Sequence, residues 1–88
     1  MITGAQVRAA KALLDWSGST LAERAGVAIS TIRRVEGCDG LLQTASVKVL
    51  QALKTALEEG GVEFLGTPED RPGVRLIKQF LIDHSLHD

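Results

Sequence analysis

LAERAGVAISTIRRVE, residues Leu21 to Glu36, reads as two short helices joined by a sharp turn at Gly26. Leu21, Ala22 and Ala25 put a small apolar stripe on the first helix. Val27, Ile32 and Val35 put another on the segment after the glycine. A helix has to stop at Gly26, and glycine takes a left-handed backbone there without strain. Ala22 is small where a second helix must cross closely. An apolar residue, an alanine, a three-residue gap, a glycine and an apolar residue six positions on make the spacing of a helix-turn-helix. The second helix, around residues 28–36, carries Ile29, Ser30, Arg33 and Arg34 on its outer face.

Upstream, Thr3-Gly4-Ala5-Gln6 has the capping-box form, and Ile2 and Val7 occupy the staple positions around it. The helix it opens runs to about Leu14, with Val7, Ala10, Leu13 and Leu14 on one face. Asp15 is its left-handed terminal residue. Ser17 caps the next helix, although Gly18 in its first turn weakens that helix by up to ~1 kcal/mol relative to alanine. Ala28 stands at the cap of the following helix and has no side-chain acceptor; Ser30 offers a cap one turn later.

Downstream, Gly37-Cys38-Asp39-Gly40 is a loop, and Leu41 and Leu42 are expected to anchor it to the core. Thr44 caps a longer helix over about 45–59, with Val49, Leu50, Leu53, Ala56 and Leu57 at helical spacing, and Gly60-Gly61 ends it. The period then changes. Val62–Leu65 and Val74–Ile77 are strand candidates joined by the turn-rich run Gly66 to Gly73, giving an antiparallel hairpin with Phe64 on its buried side. A lone hairpin is marginal in water, so this one must pack on the helices, pair with another copy, or both. The segment Lys78 to Asp88 fits either a helix with Ile77, Phe80, Leu81 and His84 on one face or a strand continuing to Ile82.

The chain has 88 residues, enough for one small domain with a modest core. The aromatics are Trp16, Phe64 and Phe80, so the core is aliphatic. One cysteine, Cys38, excludes an internal disulfide. No apolar run approaches the ~20 residues of a membrane span, and no basic segment leads into an apolar one at the N-terminus. A soluble, cytoplasmic protein is expected. The net charge of −1 is unevenly spread. Residues 1–36 carry five basic side chains against three acidic ones, a balance of +2, and residues 37–88 carry five against eight, a balance of −3. The positive end coincides with the helix-turn-helix.

The runs Leu21-Ala22-Glu23-Arg24-Ala25-Gly26-Val27 and Ser30-Thr31-Ile32-Arg33-Arg34-Val35-Glu36, with Leu13-Leu14 and Trp16-Ser17 before them, resemble the phage-repressor and Cro-type (XRE) helix-turn-helix family. The resemblance covers roughly residues 4–59. It implies a mainly α, lambda-repressor-like bundle of four to five helices with a small C-terminal β-hairpin. It divides the chain into a DNA-binding part, residues 1–60, and a hairpin and tail, residues 61–88, that serves as a possible dimerisation element. Carried over by position, Ile29, Ser30 and Arg34 face bases, with Arg33 near base or phosphate. Ser17, Thr31, the backbone N–H of Gly18 and the helix start near Thr44 meet phosphates. Lys11 and Glu36 match positions where the family often has a partly buried ion pair. Two positions depart from the pattern. Gly18 stands where the family usually has Gln, and Ala28 where it prefers a Ser or Thr cap.

The residue types suit that role. A guanidinium donates two parallel hydrogen bonds to guanine O6 and N7, and Ile29 can touch a thymine methyl. Arg33 and Arg34 taken alone would fit an ordinary solvated helix face; the turn pattern around them favours DNA. His84 and His87 supply at most two ligands on one helix face, and Cys38 has no histidine near it in sequence, so neither a metal, a cofactor nor an enzyme is expected. The expected function is a transcriptional regulator, a repressor in type, that binds double-stranded DNA as a homodimer. The alternative is a protein-binding adaptor, such as an antitoxin or phage accessory factor, on the same fold. Gly18, Ala28 and the negative net charge favour it, and Arg33 and Arg34 oppose it.

Overall fold

A computed structural model describes residues 2–37 and 46–77. Four helices, α1 (Gly4–Leu14), α2 (Gly18–Ala25), α3 (Ile29–Glu36) and α4 (Val47–Gly60), precede two antiparallel strands, β1 (Val62–Thr67) and β2 (Asp70–Leu76). The expected mainly helical architecture with a terminal hairpin is therefore observed.

Local chemistry sets most of the boundaries. Thr3 caps α1 through its hydroxyl, which accepts from the Gln6 N–H, and the Gln6 side chain accepts from the Thr3 N–H in return. Asp15 closes α1 at φ 58°, as expected. Ser17 caps α2 by accepting from Thr20 N at 3.1 Å. Gly61 ends α4 at φ 115°. The start of α4 lies later than the sequence suggests: Ser46, not Thr44, caps it by accepting from Val49 N at 3.1 Å. Both residues carry a hydroxyl, and serine is the stronger cap of the two.

The core is one aliphatic cluster fed by every helix and by β1. Val7, Ala10 and Leu14 come from α1, Leu21 and Ala22 from α2, Ile32 and Val35 from α3, Leu50, Leu53, Ala56 and Leu57 from α4, and Val62 from β1. Each fully buried Leu or Ile contributes about 1.5–3 kcal/mol. Leu13 is a correction, since it remains 37% exposed instead of joining Val7 and Leu14 in the core. It lies one residue before Leu14, about 100° around the helix, and Leu14 takes the inward position.

The hairpin is longer than its strand candidates. Its register pairs Val62 with Leu76, Phe64 with Val74 and Leu65 with Gly73, then slips so that Thr67 pairs with Asp70. Gly66 alone lies opposite Arg71 and Pro72, a bulge that extends both strands through the glycine- and proline-rich run. Gly66 has φ 74° and Arg71 φ 52°. A Cβ on Gly66 would sit 2.1 Å from the Arg71 carbonyl oxygen, so only glycine fits. Phe64, Val74 and Leu76 pack on the helical core. The Gln6 amide nitrogen donates to Leu65 O at 3.1 Å and to Gly73 O at 2.9 Å. The hairpin is thus bound to α1 by a side chain and to the core by Val62. Cys38, Leu41, Leu42, Thr44 and the segment from Lys78 to Asp88 lie outside the described residues.

Candidate nucleic-acid interface

The turn between α2 and α3 is built by Gly26, whose φ of 71° and ψ of 35° place it in the left-handed region. Its N–H points back to the Ala22 and Glu23 carbonyls, and Val27 N donates to Ala22 O at 3.0 Å. These bonds satisfy the last carbonyls of α2 and redirect the chain into α3. The Ala28 carbonyl accepts from Thr31 N at 3.0 Å and from Ile32 N at 3.3 Å. Ala28 is the cap of α3 and makes no side-chain hydrogen bond to the first amides of the helix. Ser30 lies inside its first turn instead of capping it.

On α3, Ile32 and Val35 are each 1% exposed, and Ser30, Arg33 and Arg34 lie on the opposite, exposed face. Among the described residues, neither Arg33 nor Arg34 has an ion pair or a side-chain hydrogen bond, whereas Lys11, Lys54, Arg71 and Arg75 each have a carboxylate partner. Thr31 is half-buried on the flank. Ile29, expected on the outer face, is also half-buried and packs against the core with part of its side chain. Its Cδ1 lies 3.5 Å from the point where a Cβ on Gly18 would stand, so the two helix starts touch there. Ser17 is exposed beside Gly18, and its hydroxyl lies 3.1 Å from that of Thr20. Thr44 is outside the described residues, so the fourth expected phosphate contact has no position here.

Two side chains of α1 hold the far end of α3. Lys11 Nζ donates to Glu36 Oε1 at 3.0 Å and lies 2.9 Å from Oε2. Oε2 itself is buried and, among the described residues, takes no aligned hydrogen bond, so its contact with Lys11 is ionic. Arg8 Nη1 donates to the Glu36 backbone carbonyl. Two cations at a helix C-terminus also oppose the negative end of its dipole. The Lys11–Glu36 pair matches the resemblance. Arg8 was not singled out, although it precedes Lys11 by three residues on the same face. Arg24, also not singled out, stacks on Trp16 at 4.8 Å from the ring centroid. That contact and the packing of Trp16 on the core leave the indole as structure rather than a stacking platform.

The result is an exposed cationic helix face anchored at its C-terminus by α1 and at its N-terminus by the start of α2. Chemically it can donate hydrogen bonds to acceptors along a groove and can bind phosphates. No cluster of metal-ligating side chains occurs among the described residues, and no helix of theirs is long and apolar enough to cross a membrane. Neither a protein-family model nor a curated protein matches the chain.

Proposed function

We propose that this protein is a sequence-reading DNA-binding regulator that inserts α3 into the major groove. The observation that carries the reading is the pair Arg33 and Arg34, exposed on the face of α3 opposite Ile32 and Val35 and, among the described residues, without an ion-pair partner. An internal salt bridge would have spent their donors. Exposed on a braced helix, they suit guanine edges and phosphates. Ser30 and Ile29 complete the base-facing row. Ser17, the Gly18 N–H and Thr31 supply phosphate contacts on its flanks, and the start of α4 adds free amides.

The positive excess is small, so one subunit binds weakly and the working form is a homodimer on a pseudo-palindromic site. Its two α3 helices lie roughly 34–36 Å apart, one turn of DNA. The hairpin is the dimer element in this reading. Because Val62 is 2% exposed and Gln6 holds the hairpin backbone, the hairpin cannot be cut away without damaging the fold. The dimer is tested by charge or proline substitutions on exposed hairpin positions. Such a regulator works in the cytoplasm, needs no cofactor and catalyses nothing.

The test is fluorescence anisotropy of the full chain on its own upstream DNA, with unrelated duplex as competitor, over a salt series. Salt-sensitive binding that withstands the competitor supports a specific regulator. An uncapped α3 and the bare Gly18 favour a second reading, a protein-binding adaptor on this fold. Absence of binding at low salt, together with a stoichiometric protein complex from the native host, would select it.

A further inference from the structure

The solvent face of α1 carries no charged side chain. The two cations of the helix, Arg8 and Lys11, both turn to Glu36 on α3. The positions left outside are Ala9, Ala12 and Leu13, with Ala5 half-buried beside them. A surface helix ordinarily fills this face with charged and polar residues. Leu13 is 37% exposed, and Ile77, just past β2, is 63% exposed.

The fold brings Leu13 and Ile77 to the same end of α1. Gln6 holds Gly73 of β2 through its side-chain amide. Leu13 lies seven residues beyond Gln6, two helical turns and roughly 10 Å further along the same side of α1. Ile77 lies four residues beyond Gly73, roughly 13 Å of extended chain. A second tie fixes this end: Ile77 N donates to Gly61 O at 2.7 Å, and a Cβ on the adjacent Gly60 would stand 2.8 Å from Leu14 Cδ1. The chain therefore passes Ile77 beside the apolar end of α1. The next residues, Lys78-Gln79-Phe80-Leu81-Ile82, bring three large apolar side chains after two polar ones.

We propose that the segment after Ile77 folds back over the outer face of α1 in the same subunit, with Phe80 and Leu81 covering Leu13 and Ala9. Three residues reach up to ~10 Å, so Phe80 comes within range of Leu13 directly from Ile77. So short a tether sets an effective concentration in the millimolar range. A second copy is the poorer occupant. The helix is only about 16 Å long, and its outer strip offers far less than the roughly 800 Å² per partner of a stable dimer. The inference needs no DNA and stands apart from the DNA-reading proposal.

The test places a photoprobe in the full chain, Phe80→p-benzoylphenylalanine. Equal amounts of unlabelled and 15N-labelled protein are unfolded together, refolded and irradiated, and the cross-linked peptides are read by mass spectrometry. Expected are links from the peptide holding residue 80 to those holding Ala9, Ala12 or Leu13, both halves carrying the same isotope. Links of mixed isotope would mean that a second copy covers the face and would overturn the proposal, as would links that avoid α1. Stability gives an independent readout. Phe80→Ala and Leu13→Ala should each lower the melting temperature by roughly 4–8 °C. The double variant should lose clearly less than the sum, because each residue removes the other's partner. Additive losses, or no loss from Phe80→Ala, overturn the contact.

Discussion

The Lys11 ammonium bridges both carboxylate oxygens of Glu36, at 3.0 and 2.9 Å, and so ties the first helix to the last turn of the third. The two side chains keep 21% and 18% of their exposure, which places the pair between a surface bridge and a buried one. Removing one partner should cost about 1–3 kcal/mol, more than an exposed pair and less than the 3–5 of a fully buried one. Glu36→Ala should therefore lower the melting temperature by roughly 4–8 °C for each kcal/mol lost. Arg34→Ala, on an exposed face, should change stability by no more than about 0.5 kcal/mol. Differential scanning calorimetry decides; equal small shifts would show that the pair holds nothing.

Gln6 is saturated. Its oxygen accepts from Thr3 N, and its nitrogen donates to the carbonyls of Leu65 and Gly73. Gln6→Glu keeps the shape and the capping acceptor but turns both donors into an acceptor facing two carbonyls. Burial and those oxygens disfavour the charged form, so the folded state of the variant holds its carboxyl proton more tightly than the unfolded chain does. The folded pKa is raised, so the variant's stability is greatest below the unfolded carboxyl pKa and is lost as pH rises through the folded value. Urea melts at neutral and mildly acidic pH should show this variant gaining on the parent as pH falls. A constant difference between them would mean the hairpin contacts are not made.

Gln6 shows how far sequence reasoning reaches. The capping half of Gln6 is legible because both partners lie within one helical turn, where spacing dictates geometry. Its other half joins residues 59 and 67 positions away, and no local pattern carries that information. The stripe Leu21, Ile32, Val35 and Leu53 was readable from period alone, while Leu13 was misread because two adjacent leucines compete for one inward position. The hairpin was visible as a change of period. Its true length depended on a bulge at Gly66, and a glycine- and proline-rich run reads equally as a plain turn. In the candidate interface, Ser30, Arg33 and Arg34 were placed outward correctly, but the seating of Ile29 on Gly18 needed the crossing of two helix starts, which only tertiary packing sets.

Two helical glycines should respond oppositely to the same methyl group. A Cβ on Gly60 would stand 2.8 Å from Leu14 Cδ1 and from the Trp16 ring, so the helix end approaches the indole too closely for any side chain. Gly60→Ala should destabilise by about 1–3 kcal/mol through overpacking, despite its gain in helix propensity. At Gly18 the closest contact is an ordinary 3.5 Å. Gly18→Ala should stabilise by up to ~1 kcal/mol. Thermal melts followed by tryptophan fluorescence test both; destabilisation at Gly18 comparable to that at Gly60 would mean the two helix starts are closer than described.

Arg33 and Arg34 are adjacent, both exposed, and about 100° apart around α3, so one can face a base edge while the other faces the backbone. The roles leave different traces in binding. A guanidinium paired with guanine should cost about 1–3 kcal/mol on the specific site when removed and almost nothing on unrelated duplex, with the salt slope unchanged. A guanidinium on phosphate should weaken both duplexes alike and reduce the salt slope by about one. We expect Arg34→Ala to behave in the first way and Arg33→Ala to lie closer to the second. Arg34→Lys discriminates further, because it keeps the charge and loses the two-pronged geometry, so it should fail to restore preference for the specific site. If Arg34→Ala weakens every duplex equally, then Arg34 is an electrostatic contact and the base reading passes to Ser30 and Ile29.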